Sequence, residues 1–312
     1  RREQTSTYLV CFDAETGLIR WSRYLGAGAS DADNFVGMGM GVSGSSSTDY
    51  GHTLLTLDGP TLYYQTNLGA LIAVDTETGA VRWVATYPRQ DAARPGRHER
   101  DLNPAIFYKG MVIVAPSDAA EIYAFDADSG RSLWRSPSIA DDLKLTHVLG
   151  VAHERLVATG DRVILFDVKS GKLIQTWPDS GNSIEGFGRG ILAGNKIYWP
   201  TREEIHVLDQ RTGQRTEPPI KLQETYRTVG GNLVAGDGYL IVAQPNGLAV
   251  LCQNSRLIER YQQEIAMAPE RASSHYRLAR AAEALGRDVL ALESYEKAAN
   301  SSRPEETIDG AP

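Results

Sequence analysis

The chain has 312 residues, 42% of them hydrophobic, with a mean hydropathy of -0.31, the profile of a folded globular protein rather than a disordered one. Its net charge of -7 and pI near 5.5 exclude a general polyanion binder, which needs a concentrated positive field. Two cysteines, Cys11 and Cys252, make no disulfide framework and no C-x-x-C pair. No apolar run approaches the roughly 20 residues that a membrane-spanning helix needs.

In chain order, five segments repeat one pattern of apolar run, Asp, Thr or Ser, Gly and second run. They start at Leu9, Leu71, Ile122, Val163 and Ile205. The aspartates are Asp13, Asp75, Asp126, Asp167 and Asp209; the glycines four residues later are Gly17, Gly79, Gly130, Gly171 and Gly213. Each copy reads as a β-hairpin. The runs have the length and alternation of strands, Asp closes the turn by accepting backbone N–H bonds, and Gly supplies a positive φ without steric cost. Trp21, Trp83 and Trp134 stand four residues after their glycines, on the returning strand; Trp177 stands six after, and the fifth copy has none.

Ahead of the second to fifth hairpins, the segments from Leu54, Pro104, Gly150 and Gly190 each hold two short apolar runs around a polar turn. A last segment from Gly231 holds three runs, with Cys252 at the aspartate position. A full unit is thus four antiparallel strands in about 42 residues, the size of a propeller blade. The longer steps between the first three aspartates, 62 and 51 residues against 41 and 42 later, come from inserts at Gly26–His52 and Arg89–Asp101. A βαβ fold is excluded, since no helix-period segment of ten residues occurs before Ser255. The expected fold is an all-β propeller of four complete and two partial blades, spanning 1–253.

The repeat A-x-D-x-x-T-G-x-x-x-W resembles that of the pyrroloquinoline-quinone-like, or quinoprotein-dehydrogenase-like, β-propeller family. The nearest matches are Ala73 through Gly79 with Trp83 and Ala124 through Gly130 with Trp134. Members include quinoprotein dehydrogenases, the outer-membrane protein assembly lipoprotein and large bacterial envelope proteins. The resemblance implies that Trp21, Trp83 and Trp134 dock neighbouring blades and that the protein is periplasmic or in the cell envelope. It also raises quinone chemistry, in which family dehydrogenases stack the cofactor between a tryptophan and a vicinal disulfide beside calcium. Here the cysteines are about 240 residues apart, so the expectation is no catalytic residue, no cofactor and no metal.

After Gln253 the period changes to three and four residues: Leu257, Tyr261, Ile265 and Ala268, then Leu278, Ala282 and Leu285, then Ala291, Tyr295 and Ala298. Ser273 or Ser274 is expected to cap the second helix, Gly286 to end it and Asp288 to cap the third. The stretch from about 272 resembles a tetratricopeptide repeat. This places tetratricopeptide-like helices at 254–303 and a disordered tail at 304–312.

Other candidate chemistry is weak. Asp126-Ala-Asp128 lacks a calcium loop's further ligands, and Gly39, Gly41 and Gly44 match G-x-G-x-x-G without strand–helix context. The six histidines show no ligand spacing. Arg89, Arg94, Arg97, His98 and Arg100 form a basic insert, the candidate partner-binding loop. The expected function is a non-catalytic scaffold binding other proteins through blade loops and the helical groove, with no nucleic-acid partner. The alternatives are a quinone-dependent dehydrogenase fragment and the sensor region of a larger protein such as a receptor kinase. A closed ring of seven or eight blades would need material before Arg1, so the chain is expected to be a piece of a longer one.

Overall fold

The computed structural model describes residues 4–29, 54–89, 103–137, 143–179, 184–252 and 254–301. They form two compact units, Arg1–Gly231 and Asn232–Pro312. The first opens with a two-stranded sheet, β1 (Gln4–Phe12) and β2 (Ile19–Ala29). Four antiparallel four-stranded sheets follow, each with its strands side by side in sequence order. They are β3 (Leu55–Asp58) to β6 (Val81–Thr86) through β4 (Thr61–Gln65) and β5 (Ala70–Asp75); β7 (Ile106–Tyr108), β8 (Met111–Val114), β9 (Tyr123–Asp126) and β10 (Ser132–Arg135); β11 (His147–Ala152), β12 (Arg155–Thr159), β13 (Val163–Asp167) and β14 (Leu173–Trp177); and β15 (Ile191–Ala193), β16 (Lys196–Pro200), β17 (Glu204–Asp209) and β18 (Ile220–Lys221).

Successive sheets touch along their first strands, β3 with β7, β7 with β11 and β11 with β15, as blades do around a propeller axis. The third strands are buried on both faces, which explains their continuous apolar runs. The core is therefore not one mass but a series of face-to-face layers. Leu71, Ala73 and Tyr63 meet Val112, Val114 and Phe125; Ile113, Ile122 and Ala124 meet Leu156, Ile164 and Phe166; Val157, Val163 and Leu165 meet Ile197, Trp199 and Leu208. The fifth sheet departs from its siblings: β18 is only two residues long and runs directly into a short helix, α1 (Leu222–Tyr226).

The second unit holds the three-stranded sheet β19 (Asn232–Gly236), β20 (Tyr239–Gln244) and β21 (Gly247–Cys252), and the helices α2 (Asn254–Met267), α3 (Ala272–Ala284) and α4 (Asp288–Ser301). One residue separates β21 from α2, and the Arg256 guanidinium pairs with Asp237 in the β19–β20 turn at 3.1 Å. This sheet thus groups with the helices, although its strands continue the propeller pattern that the sequence shows to 253. Ile258, Leu278, Ala281, Ala282 and Ala291 form the helical core. The expected caps need correction. The N-cap of α3 is Arg271, which places Ser273 and Ser274 inside the first turn, and Asp288 is itself the first residue of α4. Gly286, at φ +62°, follows the end of α3 as expected. The tail 304–312 lies outside the described residues.

Candidate functional site

Each Asp–Gly hairpin is built by the same local bonds. The backbone N–H groups of Gly17, Gly79, Gly130, Gly171 and Gly213 donate to the carbonyls of Asp13, Asp75, Asp126, Asp167 and Asp209 at 2.8–2.9 Å. The five glycines have φ between +65° and +71°. One carboxylate oxygen of each Asp accepts the backbone N–H and the hydroxyl of the residue before the glycine: Thr16, Thr78, Ser129, Ser170 and Thr212. That is why the motif needs Thr or Ser ahead of Gly.

At Asp13, Asp75, Asp126 and Asp209 these bonds favour the ionised carboxylate. The Thr16 hydroxyl beside Asp13 and the Ser129 hydroxyl beside Asp126 lower those acids most, while the Thr212 N–H leads for Asp209. Asp75 lies far below the usual range, first because Arg82 pairs with it at 2.7 Å and then because Thr78 donates to it. A depressed folded pKa stabilises the fold above the unfolded value and loses that contribution as pH falls through the folded one. Stability is therefore expected to fall as pH drops below about 4. Asp75→Asn should make the fall shallower in melting curves taken from neutral to acid pH, and an unchanged slope would contradict this assignment.

The repeated tryptophans meet the turn of the next blade. A Cβ on Gly79 would lie 2.6 Å from the Trp21 ring, on Gly130 2.6 Å from Trp83, and on Gly171 2.4 Å from Trp134, so each indole lies flat against a glycine that leaves room for it. The Trp21, Trp83 and Trp134 Nε1–H groups donate to the carbonyls of Thr76, Ala127 and Val168 at 2.9, 2.9 and 3.0 Å. Each acceptor is the residue after the repeat aspartate. Arg23 adds a bond to the Gly79 carbonyl at 2.6 Å.

The fourth seat has a different occupant. Gln175, four residues after Gly171, donates to the Thr212 carbonyl at 2.5 Å and lies where a Gly213 Cβ would be. Trp177, two residues on, packs edge-on to Trp199 and His206 instead. Burial holds His206 below its usual pKa and thus neutral at pH 7. Offset from the glycine, rather than residue type, was the signal that identifies Gln175.

At the opposite end of the blades a second set of clamps appears. Buried Asp118 accepts the Tyr87 hydroxyl and the Arg89 Nε–H, both at 3.0 Å, joining the second sheet to the third. Asn103 and Arg189 link the entries of three blades: Asn103 accepts from the Val148 N–H at 2.7 Å, and Arg189 donates to the Val148 carbonyl at 2.6 Å. Arg89, placed in the basic partner loop by sequence, is thus partly engaged in structural pairing. Arg94, Arg97, His98 and Arg100 lie outside the described residues, as do Gly39, Gly41 and Gly44. Cys11 and Cys252 are free thiols. Among the described residues no group of three His, Cys, Asp or Glu side chains is placed to hold a metal ion, and no helix is long and apolar enough to cross a membrane.

The repeated turn, the tryptophan seat and the four-stranded sheet define a propeller of the pyrroloquinoline-quinone-like repeat class. The chain belongs to the family described as outer membrane protein assembly factor BamB, whose model matches residues 5–259. Similar solved structures include BamB from Moraxella catarrhalis, 20% identical with a TM-score of 0.44, covering 62% of this chain and 55% of that one. Quinohemoprotein alcohol dehydrogenase from Comamonas testosteroni is 16% identical with a TM-score of 0.46, covering 64% of this chain and 40% of that one. The computationally designed Ika8 protein is 14% identical, with a TM-score of 0.47, covering 64% and 57%. This chain therefore spans little more than half of the BamB structure. No curated protein sequence matches it significantly.

Proposed function

We propose that this chain is a non-catalytic scaffold that holds other proteins together in a bacterial cell envelope. The observation that carries the reading is the match of residues 5–259 to the assembly-factor family. The repeat chemistry agrees with it. The five aspartates are occupied in turn bonds, and three tryptophans are occupied in glycine seats. Partners bind through the inserts between blades, the basic Arg89–Asp101 segment first, and through the tetratricopeptide-like helices α2–α4.

Among the described residues, the side chains do not fit a stacked quinone. Its family platform is a vicinal disulfide, whereas Cys11 and Cys252 are separate thiols. Trp177 and Trp199 are packed on each other and on His206. Pyrroloquinoline quinone titrated with calcium into the purified chain is expected to give no tight visible-absorbing complex; a stoichiometric one would overturn the scaffold reading. In the envelope, cross-linking is expected to recover outer-membrane assembly proteins with the chain. Replacing residues 90–101 by a Gly-Ser linker should lose them, and unchanged recovery would remove that insert as the binding rim.

A further inference from the structure

The joint between the fourth and fifth sheets is built from different residues than the joints before it. Three residues before the repeat aspartate, the second to fourth sheets bury Ile72, Tyr123 and Ile164; the fifth buries His206, 5% exposed. The seat on Gly213 holds an amide, Gln175, in place of an indole. The last strand of the fifth sheet, β18, pairs with β17 at two positions, Lys221 with Glu204 and Ile220 with Ile205.

His206 lies inside this joint. Trp199 is its cross-strand partner, and Trp177 closes on it from the fourth sheet, with ring centroids 5.6 and 5.2 Å from the imidazole. Trp177, Val163 and Thr159 form one cross-strand row on the face of the fourth sheet that meets Trp199. The layer is poor in hydrogen-bond partners: His206 Nδ1, Trp199 Nε1 and Thr159 Oγ1 are buried and have none among the described residues.

An imidazolium needs acceptors for two N–H groups and solvation of its charge. Burial is the largest influence on the ring and favours its neutral form. Glu204, on the same strand, favours the charged form less strongly, its Oε2 lying 4.0 Å from Nε2, beyond hydrogen-bond reach. Arg215, between β17 and β18, opposes the charge, and Lys221 on β18 is paired with Glu224. The neighbours from β16 and β14, Trp199 and Trp177, do not titrate. In the fourth sheet, buried Arg162 donates to the Pro178 carbonyl at 3.2 Å, Asp161 pairs with Lys144, and His147 on β11 ends the Thr159 row.

We propose that His206 makes this joint an acid-sensitive hinge: in mild acid the ring takes up a proton, and the fourth and fifth sheets part while the three joints before them stay closed. The open joint accommodates the proton because water reaches both ring nitrogens. Opening therefore gains weight as pH falls below the ordinary histidine value near 6.5, and stops gaining once the closed joint also protonates. The turn aspartates act in a lower window, below about 4, so the two effects separate. The inference rests on the packing of this joint and is independent of the scaffold reading.

The test follows the reactivity of a buried thiol at each of two joints. Thr159→Cys places one in the layer of His206, and Ala124→Cys places one between the third and fourth sheets; both positions are 0% exposed. Peptide mass spectrometry keeps them apart from Cys11 and Cys252. The ratio of the first labelling rate to the second cancels the pH dependence of the reagent. It is expected to rise by up to about tenfold from about pH 7.5 to about pH 5.5, roughly one unit below the ordinary histidine value. His206→Gln, neutral at every pH, and His206→Leu, similar to the aliphatic siblings Ile72 and Ile164, should each hold the ratio flat. His147→Gln should leave the rise in place. A flat ratio with His206 present, a rise that survives His206→Gln, or one that vanishes with His147→Gln would overturn the proposal. So would a falling ratio, the sign that the two indoles hold the imidazolium by cation–π attraction.

Discussion

Replacing Gly171 by alanine is expected to destabilise the propeller unit by about 2–5 kcal/mol, from left-handed backbone strain plus overpacking. The new Cβ would lie 2.4 Å from Trp134 Cε3 and 2.6 Å from its Cζ3, at φ +68°. Both effects are present, and their separation is the informative part. Gly17→Ala carries the same backbone strain with nothing to collide with, so about 1–2 kcal/mol is expected there. Urea unfolding of the two variants therefore weighs the indole contact directly. In a Trp134→Ala background, Gly171→Ala should shrink towards the Gly17 value, because the opposing ring is gone. If Gly17→Ala and Gly171→Ala cost the same, the flat indole contact is not what the glycine serves.

The joint that this experiment probes was half legible in the sequence. The turn was readable because all its bonds lie within five residues: Asp209 with Thr212 and Gly213 needs no tertiary context. Strand order was readable too, since hairpins of fixed offset recur along the chain. What the tryptophans touch was not, because the acceptors lie 34 to 55 residues away, at Val168 for Trp134 and Thr76 for Trp21. Gln175 carries no tryptophan signature, yet its amide does the same joining by a hydrogen bond to the Thr212 carbonyl. Helix α1 escaped because five residues make no period, and its start depends on the Leu222 N–H reaching the Glu203 carbonyl at 2.8 Å. The N-cap of α3 falls at Arg271, not at a serine, because Ser274 is buried inside the first turn.

Asp118 shows the same contrast and carries the second large prediction. It sits in Pro116–Ala120, where no motif marks it, yet its side chain is only 3% exposed. Burial first, and then the Asp118 carboxylate, push the Tyr87 phenol well above its ordinary pKa, so the hydroxyl stays protonated and donates. On the same loop the Ser117 N–H donates to Asn67 Oδ1 at 3.0 Å, from the turn between β4 and β5. The second and third blades are thus joined at both ends, by Trp83 on Gly130 and by Asp118 on Tyr87 and Arg89. Asp118→Ala deprives a buried hydroxyl of its acceptor, costing about 1–3 kcal/mol, and removes one ion-pair partner of half-exposed Arg89, worth at most about 1 kcal/mol. A total of about 1–4 kcal/mol is expected by urea denaturation. Asp118→Asn keeps an acceptor for Tyr87 but gives up both the charge and the hydrogen bond to half-exposed Arg89, so it should cost about 1 kcal/mol. Combining Asp118→Ala with Tyr87→Phe should recover much of the loss, since no hydroxyl then remains unpaired. If the double variant is as unstable as the sum of the two single ones, the clamp works through Arg89, and the base of the basic insert rather than the phenol holds these two blades together.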